Sequence, residues 1–314
     1  MATAVATPSV GEPPTERPSG QRPLRVCMVH YSDFHVDSRI QRQARALAER
    51  GDEVDLVCLS PAGELTVGEG RIRIHEVPVG KAGGGALAYL RGYGAFFARA
   101  LWTVSRLERR RRYDVVEAHN MPDFLTATAA LPKLRGAAVI LNVHDTLPEL
   151  YATKFGVGPE HPLVRGLRLE EAASARLADA VITVTDKFAE ILAERGVGVD
   201  HTTIVMNTPD HTLFGPPRPA RPLPADGPLR VLYHGGLAPR FGADLLIEAV
   251  GGLVDERERL ELRICGTGDE HQRLIALARE LAPGRADVAP VPVPLAQIPA
   301  ELEAAQIGVV PTRQ

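Results

Sequence analysis

Cysteine is scarce. The three in 314 residues, Cys27, Cys58 and Cys265, each lie in an apolar, strand-like run, and no two form a C-x-x-C pair. That pattern argues against a disulfide scaffold or a zinc site and fits buried thiols in a reducing compartment. No uninterrupted apolar stretch reaches the ~20 residues that span a bilayer. The N-terminal segment, residues 1–23, is rich in Pro, Gly, Thr and Glu, lacks the apolar core of a secretory signal, and reads as a disordered tail. The expected location is cytoplasmic, at most peripheral at the inner face of a membrane. Positive charge is not in excess either. Lys and Arg total 36 against 39 Asp and Glu, a net charge of -3, which gives no global basic field for nucleic acid. Metal and nucleophile signatures are missing: there is no H-E-x-x-H, no Asp-x-Asp and no G-x-S-x-G.

What is present is an alternation. Short Val/Ile/Leu runs are expected as strands at 24–29, 54–59, 71–77, 114–118, 138–143, 180–184 and 203–206. Helices are expected between most of them, at 38–50 with Asp37 or Ser38 as N-cap, and at 86–112, 122–134, 162–178 and 186–195. Uniformly apolar strands joined by helices predict a parallel sheet covered on both faces, hence an α/β domain over 24–207. Seven prolines between 209 and 228 then mark a linker, 208–228, without regular structure. The alternation restarts with strands at 230–233, 260–265 and 307–310 and helices at 243–254 and 269–281. A doubly wound domain usually has more strands, so the segment 229–314 is expected to be an incomplete second domain.

In open parallel sheets, ligands bind beyond the carboxyl ends of the strands. Four of the ten histidines fall there: His30, His119, His144 and His234, with Asp145 beside His144. Any one could be a polar residue that opens a loop; four together point to a cleft. Gly235 and Gly236 follow a strand and precede a helix, with Arg240 nearby, a layout suited to an anion at a helix N-terminus. It reads equally as a tight turn with a solvated arginine. Gly266 and Gly268 form a second such junction, but His271 stands where a dinucleotide fingerprint needs its third glycine. Asp287 does not end a strand, which argues against NAD and an oxidoreductase. In the helix at 86–112, Arg91, Arg99, Trp102, Arg106 and Arg110 fall close to one stripe, which suits anionic lipid head groups or simply a solvated outer face.

Several segments taken together resemble one family. They are Asp37-Ser-Arg39-Ile40 with its Ala/Leu helix, Asp114-Val-Val-Glu-Ala-His119-Asn120, and Val143-His144-Asp145-Thr-Leu-Pro-Glu149. Further units are Val181–Thr185, Ile204–Pro209, Leu232–Gly242, Leu262–Gly268 and Ile307–Pro311. From about Leu24 to its end the chain resembles the retaining GT-B glycosyltransferases of the group-1, or family-four, type, which have two Rossmann-like domains. The resemblance implies an enzyme that takes a nucleotide-sugar donor and a glycan or lipid-linked acceptor, with no metal or other cofactor. It implies His119 beside the transferred sugar, and Asp37, Arg39, His144, Asp145 and Glu149 on the acceptor side. It also implies Gly235, Gly236, Arg240, Gly266 and Gly268 on the donor side, with Arg240 neutralising the diphosphate. Two departures stand out. The family's loop arginine and lysine align with Gly236 and Phe241, and the glutamates expected after Pro311 lie beyond Gln314. An inactive, truncated remnant acting as a binding protein is therefore the alternative.

Overall fold

The computed structural model describes residues 22–35, 37–67, 69–79, 86–209, 211–215, 223, 226–253, 259–289, 291 and 293–313. The chain divides into two compact units, Met1–Thr208 and Pro209–Gln314. Most of the expected tail lies outside the described residues. At its end, Arg22 is fixed rather than free, with its guanidinium forked onto the Asp114 carboxylate.

The first unit begins β1 (Arg25–His30), α1 (Ser38–Glu49), β2 (Glu53–Cys58), β3 (Gly63–Val67), β4 (Gly70–Glu76) and α2 (Ala86–Arg110). β5 (Val115–His119) follows, then a 3-10 segment (Asp123–Ala129) that runs into α3 (Ala130–Leu134), then β6 (Ala138–Val143). The unit closes with α4 (Leu147–Phe155), α5 (Pro162–Leu177), β7 (Ala180–Thr183), α6 (Asp186–Glu194) and β8 (Thr202–Ile204). Among the described residues the sheet has eight strands in the order β3-β4-β2-β1-β5-β6-β7-β8, parallel except for β3 against β4. All six residues of β1 are buried, as a central strand covered on both faces requires. On one face Cys27, Val29, Val116, Ala118 and Val139 pack with Phe96, Ala100 and Val104 of α2 and with Leu125. On the other, Val26, Met28, Val54 and Leu56 lie under Ile40, Ala44 and Ala48 of α1. Those three recur every fourth residue along α1, and the Asp37 carboxylate caps that helix by accepting from Arg39 N at 3.1 Å.

The second unit contains α7 (His211–Phe214), β9 (Leu229–Gly236), a 3-10 turn (Pro239–Phe241), α8 (Ala243–Gly252), β10 (Leu260–Thr267) and α9 (His271–Leu281). β11 (Ala286–Val288), α10 (Ile298–Ala304) and β12 (Ile307–Gly308) complete it. Its described strands are all parallel, in the order β11-β10-β9-β12. Val231, Tyr233, Leu262 and Ile264 meet Ile247 of α8 and Leu274 of α9, while Leu232 and Cys265 face Ile298 of α10. All three cysteines are buried thiols. The two domains are Rossmann-like.

Three expectations change. The linker holds one helical turn, α7, because its first six residues after Pro209 contain no proline; much of the rest lies outside the described residues. β9 and β10 run through their glycines, with Gly235 paired to Gly266 and Gly236 to Thr267. The expected helix at 122–134 begins as a 3-10 segment after Pro122. Among the described residues, no helix is long and apolar enough to cross a membrane.

Candidate functional site

The register of the first sheet assembles the histidines. His30 pairs with His119, and His119 with Asn142, so the C-terminal ends of β1, β5 and β6 are level. His144 follows β6 directly. The His119 and His144 rings stack with centroids 5.4 Å apart, and His30 meets His119 edge-on at 5.7 Å. His119 Nδ1 lies 3.1 Å from His144 Nε2, so one ring donates to the other. Asn120 locks the two loops together: its Oδ1 accepts from His144 N at 2.8 Å and its Nδ2 donates to Asp145 O at 2.6 Å.

Asp37 bridges this group to α1. Its carboxylate takes His30 Nε2 at 3.2 Å and the fork of Arg39, Nε at 3.1 Å and Nη2 at 2.9 Å. Burial alone would raise the Asp37 carboxyl, but the hydrogen bonds from His30 and Arg39 and the Arg39 charge outweigh it and hold it well below the usual carboxylate range. The rings behave in the opposite way. Burial, reinforced by the charges of His144 and His30, holds His119 well below its ordinary pKa. Burial and the Arg39 charge bring His144 down to about 3. Both rings are therefore uncharged at neutral pH, able to donate to and accept from hydroxyls but unsuited to holding an anion. His30 Nδ1, His119 Nε2 and His144 Nδ1 are buried without a hydrogen bond of ordinary geometry among the described residues.

The site thus gathers His30, Asp37, Arg39, His119, His144 and Asp145, the last coupled by charge to Arg39. It does not gather Glu149. That carboxylate is on α4 and engages Arg195, with Arg168 at 3.9 Å. Arg195 also binds Glu171 at 2.7 and 3.0 Å, tying α4, α5 and the end of α6 together. Beneath the Asn120 loop, Asp123 is fully buried beside Glu170 and Glu171. Burial first, and those two carboxylates next, push its pKa well above the ordinary range. Sequence reasoning passed over Asn120, Asp123 and Glu117 as site residues. The available signal was polarity inside apolar runs, in Glu117 of Asp-Val-Val-Glu-Ala-His and Asn142 of Ile-Leu-Asn-Val.

In the second unit the glycine strand ends face one another. A Cβ on Gly266 would strike the Gly235 carbonyl oxygen, and one on Gly268 would strike that of Leu237, so these glycines allow the two loops to approach each other. A Cβ on Gly236 would come within 2.7 Å of the Phe241 ring, and Arg240 lies over that ring at 4.5 Å. His271 bonds Ala289 O at 2.7 Å, a structural role that explains a histidine in the third-glycine position. Asp287 lies in the middle of β11 and does not end it, and there it pairs with Arg263. On α2, Arg91, Arg99, Trp102, Arg106 and Arg110 are exposed, and Arg106 stacks on Trp102 at 5.3 Å.

A family model described as a glycosyl transferase 4-like domain matches residues 36–208, more than half of the chain. No curated protein matches the chain in sequence. Among solved structures, the chain is similar to WaaG, a glycosyltransferase involved in lipopolysaccharide biosynthesis, with a TM-score of 0.64 and 17% identity over 92% of this chain and 75% of that one. It is similar to HepE of Anabaena in complex with UDP, with a TM-score of 0.60 and 14% identity over 93% and 75%. It is also similar to the apo form of WaaB, a lipopolysaccharide outer core galactosyltransferase, with a TM-score of 0.51 and 12% identity over 84% and 67%. At these identities the likeness is one of fold: the GT-B arrangement of two Rossmann-like domains.

Proposed function

Because this chain belongs to the glycosyl transferase 4-like family, we propose that it moves a sugar from a nucleotide-sugar donor to a glycan or lipid-linked acceptor with retention of configuration. The observation that carries the reading is the convergence of His30, His119, His144 and Asp37 on the C-terminal edge of the first unit's sheet. Uncharged His119 and His144 suit the hydroxyls of a sugar. Asp37, Arg39 and Asp145 supply paired charges for a polyhydroxylated acceptor, while Glu149 is held by Arg195 outside the site. In the second unit Arg240 offsets the charge that builds on the leaving diphosphate, beside the Gly235–Gly236 and Gly266–Gly268 strand ends. A thermal-shift screen against UDP, GDP, ADP and their sugars tests this. A bound nucleotide at about 100 times its dissociation constant should stabilise the protein by about 2.7 kcal/mol. No shift with any nucleotide sugar sinks the donor assignment.

The exposed stripe of α2 supports a peripheral position on the inner, anionic face of a membrane, where the lipid-linked acceptor would be found. Each arginine near such a surface is worth about 1 kcal/mol. Arg106→Glu/Arg110→Glu should therefore lose most co-sedimentation with phosphatidylserine vesicles, and equal partitioning of variant and wild type would remove the membrane from this account.

A second reading, a binding protein without turnover, is favoured by one observation: the Phe241 ring fills the space beside Gly236. On that reading Phe241→Lys should convert a weak or absent UDP shift into a clear one, because it exchanges an apolar ring for a cation next to Arg240. An unchanged shift would show that the ring does not limit diphosphate binding.

A further inference from the structure

Strand β5 carries a carboxyl in a covered part of the sheet. Glu117 is 6% exposed and lies two residues before His119, hence on the same strand face. Its Oε1 accepts from Asn142 Nδ2 at 2.8 Å and lies 3.5 Å from His119 Nε2. Burial raises its pKa against the pull of the Asn142 bond, and no lysine or arginine pairs with it among the described residues. A buried acid of this kind brings no charge partner to the fold, so its value lies in what it aligns.

We propose that Glu117 is a positioning residue of the transfer site, acting through His119 to fix the tautomers of His119 and His144. The proposal rests on the reading above that places both rings at the substrate. Because Oε1 already accepts the amide proton of Asn142, any carboxyl proton resides on Oε2, and Oε1 meets His119 as an acceptor. His119 therefore carries its proton on Nε2 and leaves a lone pair on Nδ1. That lone pair accepts Nε2–H of His144 across 3.1 Å. His144 is then left with a bare Nδ1, buried and without a hydrogen-bond partner among the described residues, as an acceptor for a substrate hydroxyl. The reversed chain would set two lone pairs against each other at Glu117 and bury an undonated N–H on His144. The contact at 3.5 Å is of the length that shortens when a substrate closes such a site.

The test is long-range proton–nitrogen correlation NMR on protein labelled with 15N-histidine, at pH 7 and without substrate. Wild type should show both rings protonated at Nε2. Glu117→Gln, which keeps an Oε1 acceptor, should preserve that pattern, whereas Glu117→Leu should shift both rings toward mixed tautomers. In donor turnover the Leu variant should lose at least tenfold in kcat with KM for the nucleotide sugar unchanged, and the Gln variant should recover most of it. Protonation at Nδ1 of either ring in wild type overturns the proposal, as does a Leu variant with an unchanged spectrum. If the Leu variant does not fold, the wild-type and Gln spectra decide. The expected spectra from a protein that transfers no sugar support the tautomer chain and count against the functional reading alone.

Discussion

Arg195→Met should destabilise the first unit by about 3–5 kcal/mol, the cost of stripping one partner from a buried ion pair. Glu171 is fully buried and holds Arg195 through both of its oxygens, and Glu149 shares the same guanidinium. Burial pushes the Glu171 carboxyl up, and the Arg195 hydrogen bonds and charge work against that. Without Arg195 the remedies left to it are protonation, which costs free energy at pH 7, or water entry, which opens the packing of α5 against α6. Thermal unfolding at pH 7 should fall by about 6–20 °C for a unit of this size. Arg195→Met/Glu171→Met should recover much of the loss, since an apolar pair of similar volume leaves no charge behind. A drop under about 1 kcal/mol would show that solvent already reaches Glu171.

The second expectation concerns pH. Burial, with Glu171 adding to it and a Ser174 hydrogen bond opposing, lifts Glu170 from 4.5 to about 7, and Asp123 is raised in the same sense. An acid with a raised native pKa stays protonated in the fold while the unfolded chain ionises. Its stabilising contribution is therefore complete below the unfolded value and is lost as pH rises through the folded one. For Glu170 alone, a rise from 4.5 to about 7 corresponds to about 2.5 kcal/mol lost between pH 5 and pH 8. Asp37 and Asp55, held below the ordinary range, act the other way, but their contribution is complete above about pH 5. His119 and His144, neutral in the fold while the unfolded chain protonates them at low pH, gain stability as pH rises over the same interval, so the Glu170 share is read from the difference between wild type and Glu170→Gln. Urea midpoints at pH 5 and pH 8 for both proteins measure it: from pH 5 to pH 8 the wild type should lose more stability, or gain less, than Glu170→Gln. The same change in midpoint for wild type and Glu170→Gln would mean that Glu170 titrates as an ordinary surface acid.

The histidines were legible because apolar strands announce where a parallel sheet ends, and the residue after each run falls on the ligand-binding edge. Runs such as Leu-Arg-Val-Cys-Met-Val and Ala-Val-Ile-Leu-Asn-Val leave little doubt about that edge, and β1, β5 and β6 end where such a reading places them. Other parts gave weaker signals. β3 is a five-residue antiparallel edge strand with a glycine at its start, and only pairing with β4 makes it a strand. α4 begins at Leu147-Pro148, where proline reads as a breaker in sequence although it is acceptable in a first helical turn. β9 and β10 extend through glycines because their backbones pair there, an override of local preference by tertiary contact. Glu117 and Asn142 were opaque for a different reason. Their importance lies in a cross-strand bond, and no spacing along the chain encodes which strand will be the neighbour.

The interlock of Gly236 and Phe241 bears on how this loop drifts over generations. A side chain at Gly236 would meet the ring at 2.7 Å, so almost any replacement there is disfavoured while the phenylalanine remains. Once Phe241 has shrunk, the three nearest obstacles to the same replacement, all atoms of its ring, are gone. The two positions are therefore epistatic, with an enforced order: change at 241 comes first and change at 236 second. Cations can come to this loop one at a time in that order, at 241 and then at 236, and not in the reverse one.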